Sequence, residues 1–244
     1  MKNYEYQIRT DLALQNKALK NTRTSKINNI IIKKFSNQGL NYTNILFSNL
    51  ETTENKNLVK EVFVQELHKY IRKYKLKKSA SVLVVGLGNP HISSDALGPT
   101  TLAYITPTAH FKSLNLAKNK RSIYAFTSDT LQNTGIEAFR SIKALQQELH
   151  PDFIIIIDSL ISGSIDYLNK LIQISDCGIT PGSGISNYQT EISYQTLNIP
   201  VIAVGVPTAI EASTIIKDAL ALKTNKITFK KGYDLIVYSK DTHI

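Results

Sequence analysis

Short, nearly continuous aliphatic runs separated by helical patterns are the feature that most constrains the fold. The stretch Ser81-Val-Leu-Val-Val85 leads directly into Gly86-Leu-Gly-Asn-Pro90, and further runs cover residues 122–126, 153–157, 171–174 and 201–206. Helical periodicity fills residues 135–149 and 208–222 between or after these runs. Strands without polar alternation are typical of a sheet that is buried on both faces. The sequence therefore predicts a three-layer α/β fold with a mostly parallel sheet flanked by helices.

The remaining patterns are weaker and lie towards the two ends of the chain. Apolar residues recur at helical spacing over 58–74, and residues 27–32 and 42–50 are predicted strands. Residues 226–238 are predicted to form a hairpin around Lys231-Gly232. No linker divides the chain, so we expect a single domain with a basic N-terminal part to about residue 80 and an α/β core over 81–222.

Several protein classes are excluded by composition. A lone cysteine, Cys177, excludes an intrachain disulfide framework and a zinc cluster built on cysteines. The longest aliphatic run, Phe153 to Ile157, is far shorter than the roughly 20 apolar residues of a membrane span. Residues 1–11 are polar and lack an apolar signal region. We therefore expect a cytoplasmic protein without a membrane partner.

The positive charge is concentrated in the first third of the chain. The net charge is +10, and residues 1–80 hold 16 Lys and Arg against 6 Asp and Glu, whereas the remainder is balanced. The simplest interpretation is a solvated face. The alternative is attraction to an acidic partner, either nucleic acid or protein. Zinc-finger spacing and RNA-binding aromatic motifs are both missing, so charge alone does not indicate a nucleic-acid reader.

Three aspartates follow predicted strands: Asp95, Asp158 and Asp176. In open α/β sheets, sites collect beyond the carboxyl ends of the strands. A carboxylate buried there has a raised pKa, and two neighbouring carboxyls can share a proton, so that one acts as acid and the other as base. The alternative is that each aspartate only caps a helix or holds a turn.

Other chemistries have little support in the sequence. Gly86 and Gly88 do not complete a dinucleotide-binding motif, and neither a Walker lysine nor a serine elbow is present. The five histidines lack metal-ligand spacing, and Cys177 has no neighbouring histidine that could activate it. We expect no cofactor and no metal.

Several motifs lie within or just after the predicted strands: Gly86-Leu-Gly-Asn89, Asp95-Ala-Leu-Gly-Pro99, Pro151-Asp-Phe-Ile154, Ile172-Gln-Ile-Ser-Asp176, Pro181-Gly-Ser-Gly184 and Ile199-Pro-Val-Ile-Ala-Val-Gly-Val-Pro-Thr208. Together they resemble the germination protease family of endospore-forming bacteria. Near the start, Ile8-Arg-Thr-Asp-Leu-Ala13 is similar to the family's zymogen cleavage region. The match covers most of residues 8–216 in the same order.

This resemblance implies an endopeptidase of unconventional aspartic type that degrades small acid-soluble spore proteins, free or bound to DNA, during germination. It implies a phosphorylase- or hydrolase-like fold related to hydrogenase maturation peptidases, a tetrameric assembly and a location in the spore core. It also implies a zymogen in which residues 1–11 are a propeptide, 12–244 are the peptidase domain, and cleavage falls between Asp11 and Leu12. Asp95 and Asp158 would be catalytic. The residues expected to line the site are Gly86, Gly88, Asn89, Asp176, Gly178, Gly182 and Gly184.

Two departures keep other functions open. Ser93-Ser94 replaces the family's Thr-Pro before the first aspartate, and the segment Asp158 to Gly163 lacks an arginine that the family carries. One alternative is a catalytically impaired basic paralogue that binds DNA or spore protein. The other is an endopeptidase like the hydrogenase maturation peptidases, which share the general Gly-x-Gly-Asn and Asp-x-x-Gly-Pro layout.

Overall fold

A mixed β-sheet forms the centre of the molecule. The computed structural model describes residues 4–7, 9–37, 39–113, 121–182, 189–220, 226–229 and 236–238. Within these ranges it has eleven strands: β1 Tyr4–Gln7, β2 Lys20–Ile27, β3 Ile30–Asn37, β4 Leu40–Leu46, β5 Val82–Leu87, β6 Ile123–Ser128, β7 Phe153–Ser162, β8 Leu171–Ser175, β9 Val201–Glu211, β10 Lys226–Phe229 and β11 Ile236–Tyr238.

The sheet has a parallel half and an antiparallel half. Its order is β2-β3-β4-β8-β9-β7-β5-β6, with β11 added against β9, while β1 and β10 form a separate antiparallel pair. Strands β9, β7, β5 and β6 run parallel to one another, whereas β2, β3, β4, β8 and β9 pair antiparallel. The prediction of a mostly parallel sheet was therefore wrong in this respect, because the N-terminal meander joins the sheet through β8 rather than packing elsewhere.

Helices cover both faces of this sheet. The helices of the described ranges are α1 Thr53–Lys73, α2 Leu97–Leu102, α3 Ala109–Ser113, α4 Leu131–Thr134, α5 Ala138–Leu149, α6 Tyr194–Leu197 and α7 Ala212–Ala219. Val82 and Val84 pack on the α1 and α2 side, while Leu83 and Val85 pack on the α5 side, as the alternation of side chains along a strand requires. The three-layer α/β arrangement is confirmed. In the part of the chain described, no helix combines the length and apolar character needed to cross a membrane.

Local predictions met three different outcomes. The helix predicted over 58–74 and the strand at 81–85 are confirmed by α1 and β5. The strand predicted over 27–32 is confirmed only over Ile30 to Ile32, which begin β3, because residues 28 and 29 form the turn after β2, with Asn28 at a positive φ of 51°. The helix predicted over 208–222 begins only at Ala212, because the aliphatic run through Ile210 continues as β9 and pairs with β7 and β11.

The C-terminal hairpin prediction was also wrong in its pairing. The strand β10 pairs with β1, and β11 pairs with β9, so these two strands do not pair with each other. Lys231 and Gly232, the expected turn, lie outside the described residues. The two ends of the chain are thus joined through β1 and β10.

A buried ion pair fixes α1 to the antiparallel half of the sheet. Glu66 is 4% exposed, and its carboxylate accepts hydrogen bonds from Lys34 Nζ at 2.7 Å and Lys69 Nζ at 2.5 Å. Burial raises the pKa of Glu66, but the hydrogen bonds to Lys34 and Lys69 outweigh it and leave the pKa below its usual value. Lys34 belongs to β3, so this contact joins helix and sheet.

Candidate functional site

Asp95 is positioned by a turn that glycine alone permits. The chain leaves β5 at Leu87, and Gly88 has a φ of +114°, where a Cβ would collide with the backbone carbonyl of Asp95. Beyond the turn, the Asn89 N–H donates to Asp95 Oδ2 at 2.7 Å. The loop after β5 therefore folds back on itself and presents the Asp95 carboxyl at the strand's carboxyl end.

Close backbone packing holds this loop against the sheet. A Cβ on Gly98 would lie 2.5 Å from the Leu87 nitrogen and 2.7 Å from the Ile157 carbonyl oxygen. Gly86 faces Gly98 in the same way, so α2 approaches β5 as closely as backbones can. Thr208 Oγ1 also donates to the Ser94 carbonyl at 2.6 Å. Asp95 is thus supported by β5, β7 and β9 together.

Asp158 lies in the neighbouring strand β7, at the same edge of the sheet. Strands β5 and β7 are parallel, with Gly86 opposite Ile157, so the residues that follow emerge side by side. The Asp158 carboxylate accepts a hydrogen bond from the Ser159 N–H at 2.8 Å. Both Asp95 and Asp158 are only partly exposed. The structure therefore brings together Asp95 and Asp158, two of the three aspartates that the sequence singled out.

The pKa values of both carboxyls are displaced upwards. Burial raises the pKa of Asp158 well above its usual value, and the nearby Asp95 and Asp11 carboxylates raise it further, against the Ser159 N–H. Burial also raises the pKa of Asp95, the Asn89 N–H lowers it, and Asp129 adds to the increase. Two carboxyls that each resist ionisation beside the other favour a shared proton, and so one acid and one base.

The segment that follows residue 8 lies against the C-terminal part of β7. The Asp11 N–H donates to the Ile161 carbonyl at 3.0 Å, and the Ile161 N–H donates to Asp11 Oδ2 at 2.8 Å. The next side chain, Leu12, is 1% exposed and packs with Leu160 and Leu171. The Asp11 carboxylate is close enough to Asp158 to raise its pKa, so the predicted cleavage position between Asp11 and Leu12 lies near the aspartate pair.

Asp176 belongs to a different part of the molecule. It is 1% exposed, and it accepts hydrogen bonds from Lys73 Nζ at 2.5 Å and the Asn41 N–H at 2.7 Å. Gln173 of β8 lies across β9 from Asp158. Asp176 comes three residues after Gln173, which places it about 10 Å further along the direction of β8. The structure does not bring Asp176 into the aspartate pair; it ties the end of α1 to β4 and β8.

Some of the glycines expected to line the site lie beside the aspartate pair and others do not. Gly86 and Gly88 support Asp95 as described, together with Asn89. Gly178 has a φ of +83°, and its missing Cβ makes room for Ile192 and Ser193 beside the Ile179–Ile192 bridge, away from the pair. Gly182 has a φ of +74°, and Gly184 lies outside the described residues.

Two further polar residues near the pair were missed by sequence reasoning. Asp129 directly follows β6, next to the Gly88 turn, so the rule about strand ends could have found it. Gln173 lies inside β8 at 7% exposure, and the sequence included it only as part of the motif Ile172-Gln-Ile-Ser-Asp176, without a role of its own. Gln173 contacts the backbone on both sides of the Asp11–Leu12 peptide bond.

The chemistry open to this site is proton transfer by carboxyl groups. Among the described residues, no group of three or more His, Cys, Asp or Glu side chains is arranged to hold a metal ion. His91 is exposed, and His110 packs against Phe111. A protonated and an ionised carboxyl at one strand edge are suited to activating water and protonating a leaving group.

Comparison with known proteins shows which family the chain resembles. The family model described as germination protease matches residues 15–228. The chain is 36% identical to a germination protease of Priestia megaterium over 88% of its length, and 34% identical to one of Bacillus subtilis over 88%. It is 40% identical to one of Geobacillus sp. over 69%. The matched regions span 67%, 67% and 46% of those three relatives. The chain therefore belongs to the germination protease family.

Proposed function

We propose that this protein is an endopeptidase of germination in which Asp95 and Asp158 together activate a water molecule. The observation that carries the proposal is the meeting of these two carboxyls at one sheet edge, each with a raised pKa. Membership of a peptidase family supports hydrolysis of peptide bonds as the reaction.

The reaction needs one carboxyl ionised and the other protonated. The ionised carboxylate removes a proton from water as the water oxygen bonds to the carbonyl carbon of the peptide. The protonated carboxyl donates its proton to the departing nitrogen as the carbon–nitrogen bond breaks. One water is consumed, and the products are a carboxylate and an amine. This scheme makes the enzyme aspartic in type.

The chain's own Asp11–Leu12 bond is the first substrate in this proposal. The Asp11 N–H donates to the Ile161 carbonyl of β7, the Asp11 carboxylate accepts from the Ile161 N–H, and the Leu12 side chain fills a buried pocket. Cleavage there removes residues 1–11, so the protein acts as a self-processing zymogen. We extend the proposal to small acid-soluble spore proteins as substrates in the spore core, and to a homotetramer, on the family resemblance.

The first experiment follows cleavage by intact mass spectrometry. The purified full chain is incubated alone, and with a small acid-soluble spore protein, with and without chelator. We expect a cut after Asp11 followed by discrete cuts in the added protein, both insensitive to chelator. Asp95→Asn and Asp158→Asn should abolish both, whereas Asp166→Asn, at an exposed aspartate of the loop after β7, should not.

Each outcome separates the proposal from its alternatives. Cleavage that persists in either site variant would exclude the two-aspartate mechanism. Cleavage that requires added nickel would favour an enzyme like the hydrogenase maturation peptidases. Absence of cleavage by a folded chain that binds DNA in a strongly salt-dependent manner would favour the inactive basic paralogue.

A further inference from the structure

Gln173 occupies the position in the sheet that faces the candidate site from the far side of β9. Asp158 of β7 is in register with Gly205 of β9, and Gly205 is in register with Gln173 of β8. Residues in register on adjacent strands point to the same face. Gly205 contributes no side chain to this row, and the Leu160 side chain packs over it. Asp158 and Gln173 are therefore consecutive side chains of one row, about 10 Å apart at their backbones.

The Gln173 amide holds the backbone on both sides of the Asp11–Leu12 bond. Its Nε2 donates to the carbonyl oxygen of Asp11 at 3.1 Å, and its Oε1 accepts from the Ala13 N–H at 2.7 Å. With the side chain 7% exposed, few other groups compete for these contacts. One amide thus makes two hydrogen bonds to the backbone of the segment from Asp11 to Ala13.

The orientation of this amide is fixed by its own two contacts. A backbone N–H can only donate and a carbonyl can only accept, so Oε1 must face Ala13 and Nε2 must face Asp11. On its other side, Asp11 is held by Ile161, and the buried Leu12 side chain prevents the peptide from sliding. The N–H of Nε2 is therefore directed at one particular carbonyl oxygen before any reaction begins.

That oxygen belongs to the bond that the proposed function cleaves. When water adds to the Asp11 carbonyl carbon, negative charge develops on its oxygen. A donor already oriented towards this oxygen lowers the barrier, because it needs no rearrangement as the charge appears. Neither aspartate supplies this hydrogen bond in the proposed reaction. One carboxyl is ionised and has no proton to donate, and the other donates its proton to the leaving nitrogen.

We propose that Gln173 is the donor that stabilises the oxyanion of the scissile carbonyl and that its Oε1 holds the departing strand in register. This inference rests on the proposed function. It assigns to Gln173 the same two contacts with an external substrate strand, at the carbonyl before the cleaved bond and at the second N–H after it. Both contacts of Gln173 are made to backbone atoms, so the ligand class at this amide is a peptide backbone.

The test compares two substitutions in the full chain that remove different contacts. Gln173→Met keeps the length of the side chain and removes both hydrogen bonds. Gln173→Glu keeps the acceptor for Ala13 and, when its carboxyl is ionised, removes the donor for Asp11. The readout is the first-order rate of self-cleavage after Asp11 by intact mass spectrometry, at pH 7.5 and pH 5, each divided by the wild-type rate at the same pH. Gln147→Glu, on the exposed face of α5, is the matched control.

We expect both substitutions to slow cleavage at pH 7.5 by about 10²- to 10³-fold, the range measured for loss of one oxyanion donor. At pH 5 the Gln173→Glu rate should recover relative to wild type, because a protonated carboxyl donates to the Asp11 oxygen again. Gln173→Met has no proton to regain and should stay slow. Thermal unfolding of each variant checks that the fold is retained, and a purely structural role would not give this pH-dependent recovery.

Other results overturn the inference in distinguishable ways. A Gln173→Met rate within threefold of wild type would show that the donor is not needed, while the aspartate mechanism stands. Equal slowing of both variants at both pH values would show that Gln173 only holds the segment in place. A wild-type chain that does not cut after Asp11 would overturn the proposed function and this inference with it.

Discussion

At the scale of single residues, the candidate site is a place where the fold accepts an unfavourable electrostatic arrangement. Asp158 loses most of its hydration and faces two further carboxylates, Asp95 and Asp11, with one backbone N–H in compensation. A carboxyl whose pKa is raised in the folded state costs stability whenever it is ionised. Such a cost is commonly retained where chemistry needs it.

Asp158→Asn is accordingly expected to stabilise the protein at neutral pH while removing activity. The folded state binds the Asp158 proton more tightly than the unfolded state does, so wild-type stability falls as pH rises from the unfolded pKa towards the folded one. The variant lacks this loss, because asparagine carries no charge and can still accept from the Ser159 N–H. The difference in thermal midpoint between variant and wild type should grow from pH 4 to pH 7.

Differential scanning calorimetry across that pH range measures this effect. Asp166→Asn, at an exposed aspartate with no comparable burial, should leave the midpoint nearly unchanged at each pH. A lower midpoint for Asp158→Asn at pH 7 would show that the charge of Asp158 stabilises the fold.

At the scale of elements, α1 is positioned by polar contacts as much as by its apolar stripe. Glu66 accepts a hydrogen bond from Lys34 of β3. The Tyr70 hydroxyl is hydrogen-bonded to the Thr43 hydroxyl of β4 and donates to the Ile174 carbonyl of β8. Asp176 adds the contact with Lys73 at the end of the same helix. Three strands and one helix are joined by these side chains, so the antiparallel half behaves as one unit.

Glu66→Gln should weaken this unit at neutral pH. Because Lys34 and Lys69 keep 29% and 53% of their side chains exposed, solvent can compensate part of the loss. We expect the free energy of unfolding to fall by about 1–2 kcal/mol, less than for a fully buried pair. The pKa of Glu66 is lowered in the folded state, so its stabilisation is complete above the unfolded pKa and is lost as pH falls through the folded pKa.

Urea unfolding at pH 7, 5 and 3 checks this expectation. The gap between wild type and Glu66→Gln should close as the pH falls. Glu61→Gln, one turn away and exposed on the same helix, is the control. A gap of constant size at all three pH values would mean that packing, and not charge, makes the contribution of Glu66.

The sequence predicted those parts of the molecule that depend on local pattern. Asp158 ends an aliphatic run and Asp95 lies in the loop after another, so the rule about strand ends selected both, together with Asp176. The role of Asp176 could not be predicted in this way, because β8 runs antiparallel to β9 and carries Asp176 towards the opposite edge. Gln173 and Asp11 meet across more than 160 residues, and only the three-dimensional pairing of β7, β9 and β8 reveals that contact.

At the scale of the whole molecule, the basic loop and the candidate site lie at opposite edges of the sheet. Lys75, Lys77 and Lys78 precede β5, and Asp95 follows it. A strand of six residues spans about 20 Å. The screening length is about 8 Å at physiological ionic strength, so direct action of these lysines on the aspartates is weak. We expect them instead to attract an acidic partner over a distance at low salt.

Reversal of the three lysines to glutamate should therefore slow cleavage of an added acidic protein only at low ionic strength. At 0.15 M salt we expect a rate within twofold of wild type, and self-cleavage after Asp11 should not change at either salt. Rates measured between 0.01 and 0.3 M salt test this, with Lys143→Glu on the exposed face of α5 as a single-charge control. A deficit that persists at 0.3 M would assign these lysines to direct contact with the substrate.

The pairing of β1 with β10 gives the proposed self-cleavage a direction. While the chain is intact, segment 1–11 is tethered to its binding place by four paired residues of β1, by the ion pair between Arg9 and Glu211, and by covalent continuity with Leu12. The tether keeps its local concentration far above that of any free peptide in solution. Once the bond is cut, the same contacts must hold a short separate peptide at its bulk concentration, and dilution carries it away. A single hydrolysis would thus be effectively irreversible, because the released peptide is too dilute to bind again.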